Sequence, residues 1–571
     1  MYIKKRTLRL TMVNKIVSED YADIIVQNRN LSKYQAVTAA VPLDSRVSMI
    51  NLPRNEIDKC SFSTYGYQAF PSCYTVEVTL SLTASRIPNV QNISNLGMVG
   101  QGVMVAVIDT GIDYLHDAFK NADNTTRIHS IWDQTITEEE NANGTNTTLY
   151  GKEFTRDMIN QALASENPLD IVPSKDEIGH GTAMAGIIAG NEKSDDDFRG
   201  VAPQAEIIVV KLKEAKRITK EMYSIPENAV CYQETDIIFA LNYVKRQAEI
   251  LDRPLAICIA LGSNQGSHDG RGVLSTYLTE LSDMPGICVV VSAGNEGIGR
   301  RHWYGVLSNN SASNEFQVRV GKDEPGFSME VWKSSPSRIG IDITSPTGEY
   351  IKPIYPSISN CLEHNFIFVP TTVWINNFLM ESSTADQLIL IRFRNPSEGL
   401  WKFRVYNLDN QSTDYHVWLP SKGLISEETY FIDSNPDTTI TSPGNSYSSI
   451  TVSAYNHQND SIYYASSRGV NRKGVLKPEL AAPGVEIICP INNNRYGTLT
   501  GTSAAAAHLT GITAMLLEWG IVRGNNPSMD GIDIKSMLIR GAKRNPEDPI
   551  DHIWGYGRVD AYGVFESLTY R

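Results

Sequence analysis

The chain has 571 residues, 41% of them hydrophobic and 20% charged, which is enough for more than one ordinary domain and for a large buried core. A net charge of −13 gives no basic footprint for nucleic acid, and no apolar run approaches the roughly 18–20 residues that span a bilayer. The seven cysteines, an odd number without a repeated spacing, argue against a disulfide framework.

Residues 1–70 precede the first element with chemical character. The N-terminus opens with Lys4, Lys5 and Arg6 but lacks the roughly 7–15-residue apolar core of a secretory signal. Together with the cysteine count this favours folding in a reducing cytoplasm. Residues 21–27 read as a strand, with turn-forming stretches at 42–44 and 51–54. Residues 103–111, Val-Met-Val-Ala-Val-Ile-Asp-Thr-Gly, form a continuous apolar run closed by glycine. That is the pattern of a central parallel strand covered on both faces. Asp109 falls at its C-terminal edge, where open α/β sheets build their sites. Residues 138–148 read as an Asn-rich surface loop with two Asn-X-Thr sequences, at Asn143 and Asn146.

Residues 179–190, Gly-His-Gly-Thr-Ala-Met-Ala-Gly-Ile-Ile-Ala-Gly, predict a helix packed closely on a sheet with His180 at its start. Apolar runs at 206–211 and 255–261 predict two more strands. The spacing of Ile237, Ile238, Ala240, Leu241 and Val244 predicts a helix over 235–251. Residues 289–295 form another strand and turn, ending on Asn295. From 312 to 435 the character changes to short strands, at 316–320, 328–331, 339–343, 388–392 and 401–405, between Gly, Pro, Asn and Ser turns. This is a β-sandwich pattern. Residues 497–508, Gly-Thr-Leu-Thr-Gly-Thr-Ser-Ala-Ala-Ala-Ala-His, place Ser503 in the first turn of a buried helix, where unpaired N–H groups favour developing negative charge.

Asp109, His180 and Ser503 in this order, with Asn295 before the serine, resemble the motifs of the subtilases, serine proteases of the subtilisin family. Residues 465–469, 477–484 and 555–561 match as well, so the likeness covers about 95–310 and 440–571. The chain departs from the family at Ala183, Ala504 and Ala507, where His, Met and Pro are common; none of these carries a proton. The resemblance implies an α/β fold, a subtilisin-like parallel sheet flanked by helices. It divides the chain into a small α+β propeptide-like domain at 1–70, catalytic parts at 71–311 and 436–571, and an inserted sandwich at 312–435. That insert resembles the jelly roll of clostridial Csp-type germination proteases.

By the same resemblance Ser503 is the nucleophile, His180 the general base, Asp109 its orienting carboxylate and Asn295 an oxyanion donor. Ala260, Leu261 and Gly262, with Ser292, Ala293 and Gly294, would line the cleft and pair with an extended substrate. The expected partners are a peptide or protein substrate and the chain's own propeptide, cut somewhere within 61–74, with no nucleic acid and no membrane. No cofactor is required and no metal ligands are assigned; the family allows a structural calcium ion, but no residue series here marks one. The expected location is the cytoplasm or the spore. The alternative is a pseudoprotease that signals through the cleft or the insert; the insert itself reads as a brace for its host, with sugar binding as the other reading. His116 and His129 read as loop histidines, His508 as a packed helix residue, Cys258 and Cys288 as buried thiols, and the basic stretch 213–220 as a solvated loop.

Overall fold

The computed structural model describes residues 15–34, 40–76, 91, 97–136, 148–193, 198–358, 360–544 and 550–569. The expected glycosylation sequences at Asn143 and Asn146 lie outside the described residues.

The N-terminal segment forms an antiparallel sheet from β1 (Tyr21–Gln27), β2 (Val41–Pro42) and β3 (Val47–Pro53), with β3 in the middle. Both faces are apolar. Ile25, Val47 and Met49 point into one core, and Ala22, Ile24, Val26, Ile50 and Leu52 into another. A sheet with two apolar faces needs cover on both sides. A short helix α1 (Ser61–Tyr65) then leads to β4 (Cys73–Val76).

The main body is a nine-stranded sheet. Its strands before the insert are β5 (Met104–Asp109), β6 (Ile128–Asp133), β7 (Lys152–Thr155), β8 (Glu206–Lys211), β10 (Leu255–Ile259) and β12 (Ile287–Ser292), and its helices are α2 (His180–Ala189), α3 (Glu234–Leu251) and α4 (Val273–Ser282). Two short strands, β9 (Tyr232–Gln233) and β11 (Leu261–Gly262), stand outside it. After the insert come β13 (Ile450–Asn456), β14 (Ser461–Ile462), β15 (Leu480–Pro483) and helix α5 (Thr502–Leu517). The order is β14-β13-β12-β10-β5-β8-β6-β7, with β15 also beside β13. The neighbours from β13 to β6 run parallel. In β5, Val105 and Val107 face the core shared with α2 and α5, while Met104, Ala106 and Ile108 face α3 and α4. Burial on both faces is why the strand reads as an unbroken apolar run.

Helix α5 is buried along its whole length. The stretch Thr502–Val522 is long and apolar enough to cross a membrane, with a mean hydropathy of 1.3, which corrects the sequence reading that no such run exists. Here it packs inside the protein core as the helix against β10, β12 and β13.

Between β12 and β13 two antiparallel sheets, of six and five strands, lie within His302–Phe431. They share one core in which Phe316, Phe393, Trp401 and Phe403 meet. The sandwich starts earlier than the expected 312, because His302–Leu307 pairs with Thr413–Trp418. Its outer residues Trp332, Leu388, Leu390 and Trp418 pack against Phe62, Tyr67 and Phe70 of the N-terminal segment.

Two sequence expectations fail here. The cysteines do supply one bridge, Cys60–Cys361, whose partners are 301 residues apart and so leave no local spacing signal. The basic stretch 213–220 is no solvated loop: Lys213 pairs with Asp236 at 2.6 Å, Lys216 with Asp23 at 2.7 Å and Lys220 with Glu214 at 3.1 Å, all three lysine side chains being largely buried. Asp23 comes from β1, so the N-terminal sheet itself provides the cover.

Candidate active site

Strand β5 carries Asp109 to its C-terminal end, and α2 begins with His180 beside it. The junction is tight. A Cβ added to Gly181 would lie 2.1 Å from the carbonyl oxygen of Gly111, so glycine is needed for this approach. Gly179 makes the turn into the helix at φ +87°. His180 Nδ1 lies 2.7 and 2.8 Å from the two carboxylate oxygens of Asp109, and both side chains are buried. A carboxylate at Nδ1 fixes the tautomer with the proton there, leaving Nε2 as the basic nitrogen.

Asp176 holds this arrangement in place. Its buried carboxylate accepts hydrogen bonds from the Thr110 hydroxyl (2.7 Å), the Gly179 N–H (2.7 Å), the Thr182 N–H (2.9 Å) and the Thr182 hydroxyl (2.7 Å). The Thr110 oxygen in turn accepts from the Gly181 N–H at 3.0 Å. One carboxylate therefore ties the end of β5 to the start of α2 and satisfies N–H groups that the helix leaves unpaired.

Ser503 sits in the first turn of α5, with its hydroxyl donating to the Ala260 carbonyl at 3.3 Å. Thr502 organises the neighbouring amide. Its hydroxyl accepts from the Gly294 N–H at 3.1 Å and donates to Asn295 Oδ1 at 3.3 Å; its N–H donates to the same oxygen at 3.2 Å. With Oδ1 engaged by these donors, the NH₂ group is the donor end of Asn295. Asp109, His180 and Ser503 are each at most 3% exposed, so an outside substrate reaches none of them in this state.

The groove is filled by the chain itself. β4 runs antiparallel to β11, with Val76 opposite Leu261 and Thr75 opposite Gly262. On its other side it pairs with β9, Tyr74 opposite Tyr232 and Cys73 opposite Gln233. The Tyr74 side chain is buried in an apolar cluster with Tyr232, Leu261 and Leu274. A strand added between two exposed edges is a recurring way to hold an extended peptide.

Of the residues expected to line the cleft, Leu261 and Gly262 pair with β4 and the Ala260 carbonyl accepts from Ser503. Ser292, Ala293 and Gly294 lie at the end of β12, but their peptide groups are already engaged. The Ala293 N–H donates to Val452 and its carbonyl accepts from Thr441; the Gly294 N–H donates to Thr502 and its carbonyl accepts from Ser467. In this state the peptide groups of Ala293 and Gly294 are thus paired within the protein itself. The second pairing edge is β9, which sequence reading missed because two residues show no alternation. Asp176 was missed too, as one acid among Lys175 and Glu177.

Of the other histidines singled out in the sequence, His129 lies within β6 rather than in a loop, and His116 and His508 are held by packing. His116 is buried, with Nε2 2.9 Å from the Arg495 carbonyl, and burial pushes the buried His508 down to about 3. Among the described residues no group of three or more His, Cys, Asp or Glu gathers to hold a metal. Ala183, Ala504 and Ala507 all lie in the core beside α2 and α5, so the departures from the family pattern fall at packing positions.

The fold and these motifs define a class. The subtilase family profile matches residues 100–320 and 421–557, more than half of the chain, and the chain belongs to the subtilase family. Among solved structures it is similar to the CspB protease of Clostridium perfringens, at 31% identity and a TM-score of 0.75, over 86% of this chain and 97% of that one. Curated relatives include the C5a peptidase of Streptococcus pyogenes serotype M1, 23% identical over 73% of this chain and 34% of the relative. The PIII-type proteinase of Lactococcus lactis subsp. cremoris is 22% identical over 85% of this chain and 26% of the relative. The chain spans about a third or less of the length of these two curated relatives.

Proposed function

We propose that the chain is a serine endopeptidase working through Ser503, His180 and Asp109, and that it first cuts its own N-terminal segment. Ser503 Oγ attacks the carbonyl carbon while His180 Nε2 takes its proton and later returns it to the leaving amine. Asp109 stabilises the imidazolium that forms between these steps. The Asn295 amide and the Ser503 N–H receive the oxygen that becomes negative. This chemistry calls on no cofactor, and no calcium position is assigned. Substrates bind as extended strands between Leu261–Gly262 and Tyr232–Gln233, with small-residue walls at 292–294.

The observation that carries this reading is the imidazole fixed on Asp109 beside a groove already occupied by β4. The described part of β4 ends at Val76 opposite Leu261, next to Ala260, whose carbonyl contacts Ser503. We take the scissile bond to lie just beyond Val76 rather than within the expected 61–74, a reading supported by the use of most of 61–74 in α1 and the approach to β4. The test is intact mass and N-terminal sequencing of wild type beside Ser503→Ala. A new N-terminus within residues 77–79 in wild type alone is expected; cleavage of both proteins, or of neither, would falsify it. The likeness to a clostridial protease with a comparable length supports a further reading, that the processed enzyme matures one protein partner in the cytoplasm or spore of a spore-forming bacterium. Incubation with candidate partner proteins, wild type against Ser503→Ala, checks it by a single-site cut.

A further inference from the structure

The N-terminal segment enters the groove as β4, and earlier in the same segment Cys60 is bonded to Cys361 on the sandwich. Cys361 directly precedes the edge strand Leu362–Asn365. The bridge therefore fastens the occupant of the groove to a body that stays with the nucleophile. Both of its cysteines are half-buried, within reach of a small thiol. The other five cysteines are buried free thiols, and burial pushes those of Cys258, Cys288 and Cys489 up to about 12. Such thiols hold almost no thiolate and do not exchange with the bridge.

We propose that Cys60–Cys361 converts the cleaved N-terminal segment into a covalently held inhibitor, and that a dithiol reductant is the agent that lets it leave. The proposal rests on the processing reading above. Hydrolysis beyond Val76 severs the backbone but not the bridge. Return of β4 to the groove is then intramolecular, at an effective concentration of about millimolar for a short tether, so a dilute substrate competes poorly. Release takes two thiol–disulfide steps. One thiolate of the reductant attacks a bridge sulfur, forming a mixed disulfide and freeing the other cysteine. The reductant's second thiol then closes on the first and frees the second cysteine. Two electrons pass from dithiol to bridge, two protons end on Cys60 and Cys361, and the reductant leaves as its own disulfide. Afterwards only non-covalent contacts hold the segment, among them the buried Lys216–Asp23 pair at 2.7 Å and the Tyr67 hydroxyl on Glu330 at 2.7 Å. These, with the two apolar faces of the N-terminal sheet, must open for the segment to leave, and without the bridge that opening is no longer reversed by a tether.

The experiment uses the full chain, purified without reductant, as wild type, Cys361→Ser and Ser503→Ala. Denaturing gels with and without dithiothreitol are paired with fluorophosphonate labelling of Ser503 after dilution. In wild type, two pieces that separate only with dithiothreitol are expected, and labelling that rises at least about tenfold on reduction and dilution. Cys361→Ser should label without reductant; if that variant fails to fold, the two wild-type arms still decide. Pieces that part without reductant, or labelling indifferent to it, overturn the tether alone. A wild-type chain left whole, like Ser503→Ala, overturns the processing reading and the tether with it.

Discussion

The parallel sheet and the inserted sandwich are both β-rich, yet they use their strands in opposite ways. Strand β5 is buried on both faces and ends at Asp109, whereas Gly399–Asn407 alternates buried and exposed positions along its length. The parallel sheet is covered by helices on both sides, and Asp109 lies at a strand end. The sandwich has exposed outer positions along its strands and closes its core with aromatic side chains. The candidate catalytic residues belong to the first region, while the second packs its outer residues against the N-terminal segment. Damage to each should therefore be read by a different instrument.

The largest effect tests the sandwich. Trp401 is completely buried among Phe366, Phe393 and Phe403, and Trp401→Ala should cost about 3–5 kcal/mol of stability in denaturant titration. The kcat of the protein that remains folded should be unchanged; a loss of kcat matching Asn295→Ala would erase the division between the two regions. Asn295→Ala should do the reverse, lowering kcat by about 10²–10³-fold with an unaltered melting temperature. Asp176→Asn tests the link between strand end and helix start. It replaces a carboxylate that accepts four hydrogen bonds with an amide able to accept fewer, and should cost about 1.5–3 kcal/mol. Because it acts through His180, kcat should fall with KM nearly constant, and the acid limb of the pH–rate profile should move; a change in melting temperature alone would reduce it to scaffolding.

The smallest effect is set by pH. His302 and His416 are buried in contact, Nε2 to Nδ1 at 3.0 Å, stacked on Trp418. The pair shares one bridging proton, and a second would set two N–H groups against each other. Burial pushes His302 down to about 3 from an ordinary 6.5. Below pH 6.5 the unfolded chain takes up a proton that the folded chain refuses, so stability is complete above 6.5 and falls as pH drops toward 3. The loss should be on the order of 1 kcal/mol for this histidine at pH 5.5. Melting curves of wild type and His302→Gln between pH 7 and 4.5 should converge as pH falls; parallel curves would show that the pair does not titrate this way.

The parts that were legible in the sequence are those whose chemistry is packed into contiguous residues. The run into Asp109, the glycine-bounded helix after His180 and the alanines after Ser503 each combine a functional residue with its own packing pattern. The parts that were not legible depend on distant chain. Tyr232–Gln233 becomes a groove edge only because β4 lies against it. Lys213 and Lys216 read as solvated until Asp236 and Asp23 are brought to them. Cys60 and Cys361 have no shared motif. Position 302 could not be assigned to the sandwich because its partner, Trp418, lies near the far end of the insert.

The chain path itself has a consequence for synthesis. β12 ends at Ser292 and its parallel neighbour β13 starts at Ile450, with the whole sandwich threaded between them. A ribosome delivers Asp109 and His180 first, then an all-antiparallel module of high contact order, and only afterwards the helix bearing Ser503. Until that module has been made, the outer edge of β12 has no mate and the three residues cannot assemble. The order of translation thus acts as a timer: Ser503 joins Asp109 and His180 only after the inserted module exists.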